Sequence, residues 1–121
     1  MNHPPDTDPP LELDTLQSLF GDDNDAIREI LETYTEDLVV NLTALRAATG
    51  SRDRRATARV AHSMKGASAN VGAGPMLRLC ATLEASSPAA PWDELEALAR
   101  NVHDEAARVS AHVRSVVARL A

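Results

Sequence analysis

Apolar residues recur at intervals of three and four through most of this chain, and this spacing constrains the fold more than any other feature. Such intervals place apolar side chains on one side of an α-helix, whereas a half-buried strand needs strict alternation. Between residue 25 and about residue 49, one stripe holds Ile27, Leu31, Tyr34, Leu38, Leu42 and Leu45, with Ile30 and Val39 beside it. From residue 93 onward, another holds Leu95, Leu98, Val102, Ala106, Val109, Val113, Val116 and Leu120. Aromatic residues make up only 2% of the chain, which also disfavours a β-sandwich or barrel, so the sequence predicts an all-α protein.

Glycine, proline and short polar residues predict where the helices begin and end. The predicted helices span residues 11–20, from the acidic run 22–25 to about 49, 51–71, 74–85 and 93–120. Gly21, Gly50 and Gly72 follow three of these helices and are predicted C-terminal caps. Ser51 is predicted to cap the third helix, and Pro75 suits the first turn of the fourth. Four substantial helices with short connections predict an antiparallel four-helix bundle with a short extra N-terminal helix.

Length and composition predict one bundle domain after a short leader. Residues 1–10 contain four prolines and no apolar periodicity, so they are predicted to be a flexible leader, and residues 11–121 the bundle. Cys80 is the single cysteine, which excludes an internal disulfide and a multi-cysteine zinc site. It falls on the apolar stripe of its helix, so we expect a packed core thiol. No apolar run is long enough to span a membrane and the N-terminus is unlike a signal peptide, so we expect a cytoplasmic protein. The initial Met and the leader favour a stand-alone protein over a domain excised from a hybrid kinase.

Charge is distributed unevenly along a chain whose net charge is -6. Residues 1–45 hold eleven acidic residues and one basic residue, Arg28. Residues 46–65 reverse this balance with the basic residues Arg46, Arg52, Arg54, Arg55, Arg59 and Lys65. Nucleic-acid binding needs a broad basic face, which this short island does not provide. The island fits one local anionic target, and an ordinary solvated helix face is the alternative.

The basic island surrounds a histidine that is predicted to face solvent. In the third helix, the apolar stripe predicted to face the core consists of Val60, Met64, Ala67 and Val71. His62 falls almost opposite this stripe. Its side of the helix also carries Arg55, Ala58, Arg59, Lys65, Gly66 and Ala69. A glycine inside a helix costs about 0.5–1 kcal/mol relative to alanine, and here it leaves the imidazole uncrowded. Lys65, the only lysine, lies within reach of an anion carried on the ring.

The segment Ala61-His62-Ser63-Met64-Lys65-Gly66, followed by Ala67, Ala69 and Gly72-Ala73, resembles the signature of histidine-containing phosphotransfer (HPt) domains. The resemblance covers about residues 11–121, because the helix order also matches. It implies that His62 accepts a phosphoryl group on Nε2 from the aspartyl phosphate of a receiver domain and passes it to another receiver aspartate. It also implies that Lys65 stabilises the phosphate and that Gly66 permits access to the ring.

One position departs from the pattern of that family. Where the family often has a polar residue, commonly glutamine, 22 positions after the histidine, this chain has Glu84. A carboxylate there has two possible effects. It would hydrogen-bond the Nδ1–H of His62 and fix the tautomer, or it would repel the phosphate if it pointed toward it.

The resemblance also implies the partners. We expect response-regulator receiver domains or a hybrid sensor kinase to dock a monomer of this chain around Arg55, Arg59 and Ala69. No cofactor is expected, because Mg²⁺ would belong to the receiver partner. Without a P-loop or a kinase-type nucleotide-binding domain, the chain should not phosphorylate itself from ATP. The alternatives are a non-catalytic adaptor that docks or sequesters a receiver, and an unrelated interaction bundle. Neither needs His62 beside Lys65 and Gly66.

Other candidate sites are weaker. His103 and His112 fall on opposite faces of the last helix and cannot form a helical metal pair, while His3 lies in the leader. The acidic run 22–25 lacks the ligand spacing of a calcium loop, and helix capping accounts for it. Trp92, at the start of the last helix, is predicted to anchor the end of the bundle.

Overall fold

The structure is a computed structural model that describes residues 8–120, and within that range it contains five α-helices and no strand. The helices are α1 (Leu13–Phe20), α2 (Asn24–Gly50), α3 (Arg54–Val71), α4 (Gly74–Ser86) and α5 (Trp92–Leu120). The prediction of an all-α protein is therefore confirmed. Most of the predicted leader and His3 lie outside the described residues. No helix in residues 8–120 has the length and apolar character needed to cross a membrane.

The four longer helices surround one apolar core. α3 packs against α2 and α4, α5 packs against the same two helices, and α1 lies against α2 and α3. The largest fully buried side chains come from all five helices and include Leu16, Ile27, Leu31, Leu45, Met64, Met76, Leu83, Leu95, Val102 and Val109. Because α3 is covered on two sides by α2 and α4, only its outer face remains available to a partner.

The buried face of α3 differs from the predicted stripe. Its buried residues are Thr57, Ala61, Met64, Ser68 and Val71, whereas Val60 and Ala67 are only partly buried. Ser68 is accommodated in the core because its Oγ lies 2.7 Å from the Tyr34 hydroxyl of α2 in a buried hydrogen bond. A hydrogen bond offsets the desolvation cost that hydropathy scales assign to a buried hydroxyl. The observed core face of α3 is therefore rotated about the helix axis relative to the predicted one. Apolar spacing alone does not reveal a polar pair between helices.

Two predicted caps between α2 and α3 are wrong. α2 continues through Gly50, and the left-handed backbone conformation belongs to Arg52, with φ 54. The Ser51 hydroxyl donates back to the Ala47 carbonyl at 2.9 Å, so it closes α2 instead of starting α3. Asp53 caps α3 by accepting a hydrogen bond from the Ala56 amide at 3.0 Å.

Other predicted boundaries are confirmed. Asp23, within the acidic run 22–25, caps α2 by accepting from the Ala26 amide at 3.1 Å. Gly72 ends α3 with φ +74, and a Cβ there would lie 2.6 Å from Thr15 Oγ1 of α1. The Gly72 carbonyl also accepts from the Glu12 amide at 2.9 Å, so the turn after α3 holds the start of α1. Glycine is needed at this position for both backbone conformation and space.

Part of the basic island is structural. The Arg54 guanidinium donates to the carbonyls of Ser87 at 3.0 Å and Ala90 at 2.7 Å, and it lies 5.0 Å from the centroid of the Trp92 ring. Arg52 lies over the same ring at 6.0 Å. These contacts join the start of α3 to the loop between α4 and α5. The prediction that Trp92 anchors the end of the bundle is confirmed, and one guanidinium nitrogen of Arg54 is engaged within the bundle.

Candidate functional site

His62 is an exposed side chain on the middle of α3. Its neighbours Ala61 and Met64 are fully buried, which turns the intervening position toward solvent. The His62 side chain is 69% exposed, in agreement with the orientation predicted from the helical spacing. The ring therefore has room for a partner protein to approach from outside the bundle.

One carboxylate of α4 contacts both His62 and Lys65 of α3. Glu84 Oε2 lies 2.7 Å from His62 Nδ1, and Glu84 Oε1 accepts a hydrogen bond from Lys65 Nζ at 2.5 Å. The two α3 residues are three positions apart and so lie on neighbouring parts of one helix face. We call His62, Lys65 and Glu84 the α3–α4 triad. Within residues 8–120, the other ring nitrogen of His62, Nε2, has no hydrogen-bond partner.

The charge of Glu84 is set by its two partners. The hydrogen bond from Lys65 is the largest cause that holds the pKa of the Glu84 carboxyl below its usual value. Partial desolvation opposes this effect, while the hydrogen bond with His62 and the charges of both partners reinforce it. Glu84 is therefore ionised at neutral pH and can only accept hydrogen bonds. An acceptor at Nδ1 requires the proton on that nitrogen, which leaves the lone pair of the neutral ring on Nε2.

The helix face around the ring is open and basic. A Cβ placed on Gly66 would meet no atom within 4 Å, so packing inside this chain does not require glycine there. Ala69, two residues before the end of α3, is also exposed. Arg55 and Arg59 are exposed as well, and neither forms an ion pair or hydrogen bond with another described residue. The structure thus places two uncommitted cations and two small residues beside His62.

The remaining sequence candidates lie elsewhere. Cys80 is fully buried, and burial raises the pKa of its thiol to about 12, as expected for a core residue. His103 and His112 are on α5, which does not pack against α3, and burial holds the pKa of His103 below its usual value. Among residues 8–120, no group of three or more His, Cys, Asp or Glu side chains is arranged to hold a metal ion.

The bond between Lys65 and Glu84 was missed by sequence reasoning, which assigned Lys65 to the phosphate alone. Nineteen positions separate the two residues, and they lie on different helices. Their opposite charges are the only signal in the sequence, and many other pairs share it. The distance between α3 and α4 at this level is needed to find the contact.

A family model for the Hpt domain matches residues 29–112, a range that contains the whole α3–α4 triad. The chain belongs to the Hpt family. Its structure is similar to the crystal structure of histidine-containing phosphotransfer protein B (HptB) from Pseudomonas aeruginosa PAO1, with a TM-score of 0.85 and 30% sequence identity. That match covers 93% of this chain and 98% of the other. The comparison with curated protein sequences found no match.

Membership in this family gives the protein its general role. Hpt proteins are phosphotransfer intermediates of phosphorelays, and they interact with receiver domains or kinases. The chain is accordingly a histidine phosphotransfer protein.

Proposed function

We propose that His62 accepts a phosphoryl group on Nε2 from the aspartyl phosphate of one receiver domain and passes it to an aspartate of another. The observation that carries this proposal is the exposed imidazole whose Nδ1 is engaged by Glu84 while Nε2 is free of partners within the described residues. Near neutral pH much of an imidazole is uncharged and nucleophilic, and the N–P bond it forms is labile enough for onward transfer.

Lys65 and Gly66 act as separate contributors in this proposal. An ammonium group has three donors, so Lys65 can keep its bond to Glu84 and still donate to a phosphoryl oxygen. Transfer between two proteins depends on in-line positioning and charge neutralisation, to which such a cation contributes. Gly66 contributes because it has no side chain, and the open space above its Cα lets a receiver approach the ring.

The docking surface in this proposal is formed by Arg55, Arg59 and Ala69. Receiver active sites are acidic, and the two arginines are free to meet them. Receiver binding should therefore weaken as salt screens the attraction, and Arg55→Ala with Arg59→Ala should reduce that salt dependence. A transient interface also suits a relay, because the protein has to leave one receiver before it meets the next.

The remaining features of the proposal follow from the fold. We propose that α2, α3, α4 and α5 form an antiparallel four-helix bundle with α1 as a short extra helix, supported by their short connections and mutual packing. One core of apolar residues from all the helices is buried within a single chain, which supports a monomer. The protein would need no cofactor, Mg²⁺ would be bound by the receiver, and it would have no ATP-dependent kinase activity of its own. The single cysteine supports a cytoplasmic location.

A two-step transfer assay tests this function. A phosphorylated receiver is mixed with the protein, the phosphorylated protein is isolated, and a second receiver is added. We expect label to appear first on this chain and then on the second receiver. Binding of both receivers with no label on the chain would favour the adaptor alternative and contradict phosphotransfer.

A further inference from the structure

We propose that Glu84 retains the proton on Nδ1 of His62 while Nε2 carries the phosphoryl group, so that the phosphorylated ring remains ready to transfer up to a higher pH. This inference rests on the proposed function, because it concerns the phosphorylated form of the same histidine. It assigns to Glu84 a positioning role for a proton, in addition to its role in the resting tautomer.

The geometry places a fixed proton acceptor at the nitrogen that does not react. Glu84 Oε2 is 2.7 Å from Nδ1, a distance at which an ionised carboxylate accepts a strong hydrogen bond from an N–H. Glu84 Oε1 is held at 2.5 Å by Lys65 Nζ, which fixes the carboxylate and keeps it ionised. A glutamine at this position would be neutral, and its amide could accept from a protonated Nδ1 or donate to a bare one. A carboxylate accepts only.

The proton need not move in either transfer step. When His62 is phosphorylated, the Nε2 lone pair forms a bond to phosphorus. The bond from phosphorus to the receiver aspartate breaks, and its electron pair remains on the carboxylate. The ring is then a cation that keeps its Nδ1 proton. In onward transfer, an aspartate oxygen of the second receiver attacks phosphorus, and the N–P electron pair returns to Nε2. The neutral Nδ1–H tautomer is restored with atoms and charges balanced.

Loss of the Nδ1 proton would interrupt the second step. With Nδ1 protonated, the leaving group is a neutral imidazole. With Nδ1 bare, the leaving group would be an imidazolate anion, which leaves far less readily. Onward transfer should therefore decline above the pH at which the phosphorylated ring loses this proton. The Glu84 carboxylate, 2.7 Å from Nδ1, accepts the hydrogen bond of this proton and so favours the protonated ring over the bare one.

Within the described residues, Glu84 is the charged group that bonds to the His62 ring. Lys65 meets the ring only through Glu84, and Arg59, one turn earlier on α3, is exposed to solvent that screens its repulsion. On α4, the other charged residue, Arg78, pairs with Asp8. Within residues 8–120, no charged side chain of α1, α2 or α5 bonds to His62 or Glu84. Glu84 is thus the charged group in direct contact with the ring.

The test is the pH profile of onward transfer to one receiver, measured for the wild type and for Glu84→Gln. The reported quantity is the wild-type rate divided by the Glu84→Gln rate at each pH. The ratio cancels the pH dependence of the receiver. Replacing a charged acceptor by a neutral one should lower, by about one unit, the pH midpoint at which the onward-transfer rate has fallen to half. We expect a ratio near one at low pH that rises to about tenfold at alkaline pH. Glu29→Gln, which removes an exposed carboxylate of α2, is the matched control and should follow the wild type.

Nitrogen-15 NMR of the phosphorylated protein gives an independent readout, because it reports directly whether Nδ1 carries a proton. Glu84→Ala, which removes the acceptor and retains helix propensity, should shift the same midpoint at least as far as Glu84→Gln. Midpoints identical to the wild type in both variants, or a rate ratio that is constant with pH, would overturn the inference and leave phosphotransfer intact. Failure of wild-type His62 to accept a phosphoryl group would overturn both.

Discussion

Gly66 offers a test in which stability and function should change in opposite directions. It lies inside α3, one turn after His62, and a Cβ placed on it would meet no atom within 4 Å. Replacing it with alanine therefore adds helix propensity without any clash. The expected gain in the free energy of unfolding is about 0.5–1 kcal/mol, since that is the cost of glycine relative to alanine in a helix interior.

The same gain predicts a melting temperature about 2–5 °C higher for Gly66→Ala in a chain of this size. Gly66→Gln should retain part of this gain, because glutamine is also a good helix former. Its longer side chain occupies the open space beside the imidazole, however, and a small displacement of the reacting atoms is costly. We therefore expect phosphotransfer to Gly66→Gln to be slower by about tenfold or more.

Thermal unfolding followed by circular dichroism gives the stability, and single-turnover labelling by a phosphorylated receiver gives the transfer rate. Ala111→Gln, an exposed substitution on α5, is the control for the longer side chain and should transfer at the wild-type rate. If Gly66→Gln unfolded at a lower temperature than the wild type, the packing argument would be refuted. Wild-type transfer by Gly66→Gln would refute the argument from access.

Three further substitutions test the contacts around the site and the core. Lys65→Ala should slow transfer, and it should also remove the largest cause of the lowered Glu84 pKa. A lowered carboxyl pKa stabilises the fold above the ordinary glutamate range, and this stabilisation is lost as the pH falls through the folded-state pKa. In the variant, the acid limb of a plot of melting temperature against pH should therefore flatten. Tyr34→Phe should cost about 1–3 kcal/mol in urea unfolding, since it leaves the buried Ser68 hydroxyl without its partner, and an unchanged midpoint would contradict this. Arg54→Ala should cost about 2 kcal/mol and alter the fluorescence of the single tryptophan, because it removes two carbonyl contacts and the ring contact.

The orientation of His62 could be predicted from the sequence, whereas the buried face of α3 could not. Apolar spacing is enough to turn one position of a helix outward, and Met64 and Val71 set that direction. The burial of Ser68 depends on the Tyr34 hydroxyl of α2, which lies 34 positions away in the chain. Helical periodicity contains no information on such a pair, so the predicted stripe of Val60, Met64, Ala67 and Val71 leaves out Ser68.

Local backbone chemistry explains the wrong caps. Ser51 was assigned to the start of α3 because serine is a common N-terminal cap, yet its hydroxyl also fits the carbonyl one turn back in α2. The sequence does not show which of the two bonds forms. Glu84 is a similar case: its position relative to His62 was available from the family resemblance, but its second bond to Lys65 depends on how closely α3 and α4 approach.

The most direct test of the central claim is acid-labile labelling of histidine variants by a phosphorylated receiver. His62→Gln should take up no label and should keep the helicity and melting temperature of the wild type, because the side chain is mostly exposed. His103→Gln and His112→Gln, on α5, are the matched controls and should be labelled at the wild-type rate. Undiminished labelling of folded His62→Gln would contradict the assignment of His62 as the phosphoacceptor.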